Sequence, residues 1–227
     1  MDLEQKIIKY DLSLFPFAEI VKKFLNVESL ELLHKKYQFT DEIKAIGSDT
    51  HTEAHKAFYK NLNNNNLNIN TLYYQFIEKV LFKEFDENII FQKQPGFRIQ
   101  SPNNVAVSTW HGDGDELHQH PNGEINIFLP LTRTFGNNSV WTESRPGLKD
   151  YHPVKLDLGE CLIFNGHECV HGNYVNDTHI TRISFDFRVM KRQDYDPTYK
   201  VKTATMGHSY IIGEYYLDKD SLNYQNK

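Results

Sequence analysis

Seven of the eleven histidines lie between Trp110 and Val189, and the metal-ligand spacings lie there too. His111-Gly112-Asp113 sets an imidazole and a carboxylate two residues apart. On an extended backbone such a pair projects to one side, so the two groups fit adjacent corners of one coordination sphere. His171, in "HECVHGN", supplies a distant third ligand. Two histidines and a carboxylate form the facial set that holds non-haem Fe(II) with positions left open. Arg182-Ile183-Ser184 follows His171 after ten intervening residues. A guanidinium's planar fork grips both oxygens of a carboxylate, and the Ser184 hydroxyl, two residues on, faces the same way.

A second ligand run competes for the metal. His118-Gln119-His120, the Pro121-Asn122-Gly123 turn and Glu124 read as the His-x-His-x3-Glu run of cupins, with His171 again as the remote ligand. If His111 and Asp113 hold the metal, His118 and His120 become candidate substrate contacts at the pocket rim. An i, i+4 pair, His51 and His55, follows a cap at Ser48-Asp49-Thr50. Its surroundings are polar and no third ligand is near in sequence, so it reads as an exposed helical face.

The elements that must position these groups are strands. "VAVSTW", Val105 to Trp110, is β-branched and aromatic, and loop chemistry follows it, which predicts a strand delivering His111 and Asp113 at its end. The apolar run Cys161 to Phe164 precedes His171 in the same manner. From Thr181 to Val189 the pattern alternates, Ile183, Phe185, Phe187 and Val189 against Arg182, Ser184, Asp186 and Arg188. The polar face therefore looks at solvent or a polar cavity. In "EINIFLPL", Glu124, Asn126 and Phe128 share a face, and Asn126 is a candidate for hydrogen bonding near the metal. "NIIFQKQ" and "FRIQ" are strands split by Pro95-Gly96, and Arg98 is a candidate anion contact from inside the barrel or an edge-strand arginine. Trp141, Glu143 and Ser144 are assigned to a further strand and are candidates for a wall of the substrate pocket. "SYIIGEYY", Ser209 to Tyr216, reads as a late strand or a lid.

Residues 1 to about 60 read as helical, with Phe17, Ile20, Val21, Phe24 and Leu25 at helical spacing and Leu30, Leu32 and Leu33 opening a second segment. The Asn-rich stretch Asn61 to Asn70 reads as a loop, and Thr71 to Phe85 as another helix. Residues 1–86 thus form a mostly helical flank and 87–227 a jelly-roll core within a single domain.

The chain resembles the 2-oxoglutarate/Fe(II)-dependent oxygenases of the phytanoyl-hydroxylase-like superfamily, and within it the small bacterial proteins named after streptomycin biosynthesis. The resemblance runs from about Phe97 to Val189 and is carried by "FRIQSPNN", "TWHGD", "PNGEINIFLPLT", "GNNSVWTESRPGLKDYHP", "LGECLIFNGHECVHGN" and "TRISFDFRV". It implies a mainly β, double-stranded β-helix (jelly-roll, cupin-like) barrel with N-terminal helices. It implies that His111, Asp113 and His171 hold Fe(II), and that Arg182 and Ser184 bind the distal carboxylate of 2-oxoglutarate, with O2 as the third reactant. The implied outcome is hydroxylation of a small molecule or sugar-type metabolite in a biosynthetic pathway. Compared with that family, the spacing from Asp113 to Glu124 carries two extra residues, which keeps the cupin-type enzyme open as an alternative. A non-catalytic jelly-roll binding module is the third reading.

Composition narrows the partners. The 227 residues carry a net charge of -5 with 24% charged and 39% hydrophobic residues. No basic run is present, which argues against nucleic acid. No run approaches the 18 or so apolar residues of a membrane span, and the first residues lack a signal pattern, so the expected location is cytoplasmic. Cys161 and Cys169 alone do not make a disulfide framework. The expected partner is a small-molecule substrate, and the oligomeric state is left open.

Overall fold

The computed structural model describes residues 3–37, 52–63, 69–106, 109–203 and 207–225. The strands in chain order are β1 (Lys6–Lys9), β2 (Ile89–Gln92), β3 (Gly96–Gln100), β4 (Glu124–Pro130), β5 (Trp141–Thr142), β6 (His152–Pro153), β7 (Glu160–Phe164), β8 (His171–Gly172), β9 (Arg182–Lys191) and β10 (Tyr216–Leu217). They form two antiparallel sheets. The larger runs β1-β7-β4-β9-β2-β10, with β3 also paired to β9, and the smaller runs β6-β5-β8. A single bridge between His111 and His171 adds the chain around His111 to the edge of the small sheet.

Period-2 alternation decides what each face of the large sheet meets. Ile125, Ile127 and Leu129 of β4 and Ile183, Phe185, Phe187 and Val189 of β9 are buried in one apolar cluster with the helices. Those helices are α1 (Phe17–Leu25), α2 (Glu53–Asn63) and α3 (Ile69–Phe76), the last running through a π turn, Ile77–Leu81, into Phe82–Glu84. Phe58 of α2 stacks on Phe97 of β3 at 3.9 Å, and Phe17 of α1 meets Phe185 of β9 edge-on at 5.8 Å. Fully burying each such side chain stabilises the fold by roughly 1.5–3 kcal/mol. The opposite face of the large sheet turns inward. There Phe128, Leu162 and Phe164 pack with Val154 and Leu156, and the polar residues of β4 and β9 are held beside them. The result is a jelly-roll fold with a helical layer on one face of the large sheet and polar residues of β4 and β9 buried on the other.

Several expectations need correction. The first 60 residues are not helical throughout: β1 pairs with β7 over Lys6↔Ile163 to Lys9↔Glu160. The segment at Leu30 to Leu33 gives only a 3-10 turn, Leu33–Lys35. The Asn-rich stretch is partly helical, since α2 continues to Asn63 and α3 begins at Ile69; 64–68 lie outside the described residues. Val105 to Trp110 forms no strand among the described residues; the order there comes from the bridge at His111. β5 stops at Thr142, before Glu143 and Ser144. Within Ser209 to Tyr216 only single bridges form before β10. His55 is not exposed: it is 1% accessible, its Nδ1 lies 2.6 Å from Thr52 Oγ1, and its ring lies edge-on to Phe97. Apolar packing of the helix on the sheet overrode its polar neighbourhood in sequence. His51 and the Ser48-Asp49-Thr50 cap lie outside the described residues.

Candidate metal centre

His111, Asp113 and His171 converge. One ligand atom from each lies within 4.8 Å of the other two, the one such group of histidine, cysteine or acidic side chains among the described residues. The bridge is what brings the two histidines together: His111 N donates to His171 O at 3.0 Å, and His171 N to His111 O at 2.9 Å. Residues opposite one another in an antiparallel pair share a face, so both imidazoles turn inward. Asp113 is fixed from its backbone, with its N–H on Gly166 O at 2.9 Å and its carbonyl accepting from His120 N at 2.9 Å. Gly114 packs closely against a side chain. A Cβ there would sit 2.3 Å from the His167 ring.

Hydrogen bonds set which atoms face the centre. His111 Nδ1 lies 2.9 Å from Thr109 O and His171 Nδ1 lies 3.0 Å from Cys169 O. A carbonyl only accepts, so each Nδ1 carries a proton and, in the neutral ring, each Nε2 presents a lone pair. Those Nε2 atoms stand 3.4 and 3.8 Å from Asp113 Oδ1. Asp113 Oδ2 is occupied elsewhere, accepting from Asn126 Nδ2 at 2.8 Å and from Arg188 Nε and Nη2 at 3.0 and 2.9 Å.

No family model matches the chain. The streptomycin biosynthesis protein StrG of Streptomyces griseus is 34% identical to it over 209 residues, covering 92% of this chain and 96% of that protein. The chain belongs to the StrG family. Similar solved structures include the non-heme monooxygenase ThoJ in its nickel complex, with TM-score 0.48 and 14% identity, covering 97% of this chain and 90% of that one. The non-heme alpha-ketoglutarate-dependent carbocyclase SnoK of nogalamycin biosynthesis gives TM-score 0.49 and 8% identity, covering 83% and 79%.

In this StrG-family chain the electrostatics favour an ionised ligand. Burial alone would push Asp113 up, but the Arg188 guanidinium, then His111, His171 and His120, outweigh it and hold the carboxyl well below the usual range. Burial pushes His171 down despite Asp113, which favours the neutral imidazole a metal needs, whereas at His111 burial is outweighed by the hydrogen bond and charge of Asp113, which raise it. The second sequence candidate does not assemble. His118 Nδ1 lies 2.7 Å from Asp115 Oδ1 and its ring stacks on His111 at 4.0 Å. His120 Nδ1 lies 2.7 Å from Glu124 Oε2, and Glu124 Oε1 accepts from the Tyr216 hydroxyl. Glu124 is therefore committed to His120 and Tyr216 rather than to a centre shared with His171.

On the same face of β9 as Arg188, Arg182 is 2% exposed, its Cζ 5.5 Å from the centre of the Phe128 ring. Among the described residues no hydrogen bond or ion pair holds its guanidinium, and its Nε and the buried Ser184 Oγ lack partners. Arg98 Nε lies 3.3 Å from Asp186 Oδ1, so its first partner is a carboxylate of the protein. Asn126 holds Asp113, while its Oδ1 has no partner among the described residues.

Two side chains near the three converging residues have contacts that the sequence does not show. Alternation places Arg188 on the polar face of its strand and names no partner for it. Glu143, 1% exposed, accepts the backbone N–H groups of Gly147, Lys149 and Val170 at 3.3, 2.8 and 2.9 Å. It thereby staples the chain entering His171, and nothing in sequence marks it.

Proposed function

We propose that this chain is an Fe(II)- and 2-oxoglutarate-dependent oxygenase that hydroxylates a small molecule in a biosynthetic pathway. The observation that carries the reading is a buried guanidinium without a counter-ion, Arg182, on the same inner face as the His111/Asp113/His171 set. The residues fit both groups. Two imidazoles and one ionised carboxylate oxygen are the donor set that non-haem Fe(II) takes. A guanidinium in an apolar setting with an unpartnered serine hydroxyl beside it suits a carboxylate, because an unpaired buried charge is costly until an anion arrives.

In this reading His111, Asp113 and His171 hold the iron, and Arg182 with Ser184 holds the far carboxylate of the keto acid. Phe128, Phe164 and Leu162 exclude water along its length. Asn126 keeps Asp113 turned toward the ion. When bound, iron and 2-oxoglutarate supply the oxidising chemistry, in which O2 is consumed, the keto acid leaves as succinate and CO2, and one oxygen atom goes to a substrate C–H bond. Membership of the StrG family supports a biosynthetic small molecule as substrate, since that relative is named for streptomycin biosynthesis. The test is iron-dependent conversion of 2-oxoglutarate to succinate under air by purified protein. Wild type is expected to turn it over slowly even without substrate, and Asp113→Ala not at all; wild-type protein loaded with iron and inert toward 2-oxoglutarate contradicts the proposal.

A further inference from the structure

We propose that Arg188 is a positioning residue that restricts Asp113 to binding the metal through a single oxygen. The inference rests on the metal-site reading above. Asp113 is 1% exposed, so water does not compete for its oxygens. Each carboxylate oxygen offers about two lone-pair sites. Oδ2 already receives three N–H groups, from Arg188 Nε at 3.0 Å, Arg188 Nη2 at 2.9 Å and Asn126 Nδ2 at 2.8 Å. Its lone pairs are spent. Oδ1 faces only the two imidazole Nε2 atoms, at 3.4 and 3.8 Å. With both Nδ1 protons directed at carbonyls, three electron-pair donors converge there.

The clamp is itself anchored. Asp186 Oδ2 lies 3.6 Å from Arg188 Nη1, and Asp186 Oδ1 lies 3.3 Å from Arg98 Nε. The Arg188 backbone N–H donates to Gln92 Oε1 at 3.2 Å. Charges of alternating sign therefore run along the inner face from Asp113 through Arg188 and Asp186 to Arg98, and the guanidinium cannot swing away without breaking two ion pairs. The chemical consequence lies in coordination number. A carboxylate gripping an ion with both oxygens takes an extra position, and an octahedral ion so bound has too few left for a chelating keto acid together with O2.

The test uses Mn(II), a redox-quiet substitute for Fe(II), on the full-length protein, with metal-bound water counted by pulsed EPR in deuterated water. Arg188→Met, which fills the space without any N–H donor and leaves Oδ2 only Asn126, is expected to lose one bound water relative to wild type. Arg188→Lys, which restores the charge and one donor so that Oδ2 keeps two, is expected to recover the wild-type count. Melting temperature is recorded alongside, because a packing role alone lowers it without changing the water count. If Arg188→Met does not fold, Arg188→Lys combined with Asn126→Leu leaves Oδ2 a single donor and is expected to lose the water instead. A folded, Mn(II)-bound variant of either kind with the wild-type water count overturns the inference. Wild-type protein that binds no Mn(II) overturns the metal-site reading beneath it, a result that the variants cannot mimic.

Discussion

Replacing Arg182 by methionine is expected to move stability and ligand affinity in opposite directions. Burial pushes the guanidinium well below its ordinary value, to about 10, with Asp186 opposing and Arg98 adding to the fall. A depressed pKa on a base means that the charged form is disfavoured by folding. The penalty is present in full across the neutral range and is relieved only as pH rises through about 10. At about 1.36 kcal/mol per pH unit it is on the order of 3 kcal/mol. Methionine keeps the packing over Phe128 and removes the charge. The ligand-free Tm should therefore rise by several degrees, at roughly 2–4 °C per kcal/mol for a chain of this size. With metal present, the same change strands the far carboxylate of 2-oxoglutarate, a loss of about 2–5 kcal/mol. That is a rise in Kd of roughly 30-fold to several-thousand-fold. Lysine restores the charge without the fork and should recover only part of the affinity. Scanning calorimetry without ligand and anaerobic titration calorimetry with 2-oxoglutarate read the two effects. Unchanged keto-acid affinity in Arg182→Met refutes the assignment, and a Tm several degrees lower shows that the guanidinium already has a partner.

His111→Ala, Asp113→Ala and His171→Ala should each abolish specific Fe(II) binding in a folded protein, whereas His118→Ala and His120→Ala should retain it; equilibrium dialysis decides, and loss of iron from the second pair would favour the cupin-type set. Glu143→Ala leaves three backbone N–H groups unpaired and should destabilise the fold by about 3 kcal/mol, seen as a lower Tm and faster hydrogen exchange at Val170. Burial pushes the Cys161 thiol well up, and burial followed by Glu143 and Glu168 pushes Cys169 up to about 11. Neither should react with a disulfide reagent at pH 8 until the protein is unfolded.

Alternation made β4 and β9 legible in the sequence, because a strand buried on unlike faces must write both faces into every second residue. The convergence of His111, Asp113 and His171 was legible for a related reason, since two of them lie two residues apart and the third follows an apolar strand. The rest depended on contacts between distant segments. β1 is four residues long and earns its place only by pairing with β7, so local propensity offered no warning. His55 sits in a polar stretch of helix, yet Phe97 and Phe58 define its surroundings. His111 needs no strand before it, because the bridge to His171, sixty residues away in the chain, supplies the order that "VAVSTW" was expected to provide. Arg188 and Glu143 were visible as residue types but not as partners, since only the fold brings a guanidinium to Asp113 or a carboxylate to the N–H groups before His171.

Anaerobic titration of the protein with Fe(II) and 2-oxoglutarate tests the central claim most directly. The chelate of the keto acid on a two-histidine, one-carboxylate iron gives a weak visible charge-transfer band that neither component gives alone. We expect that band in wild type only when both are present, its loss in His111→Ala, Asp113→Ala and His171→Ala, and its displacement to much higher keto-acid concentration in Arg182→Met. Iron binding without the band, or a band that survives in Asp113→Ala, would contradict the account.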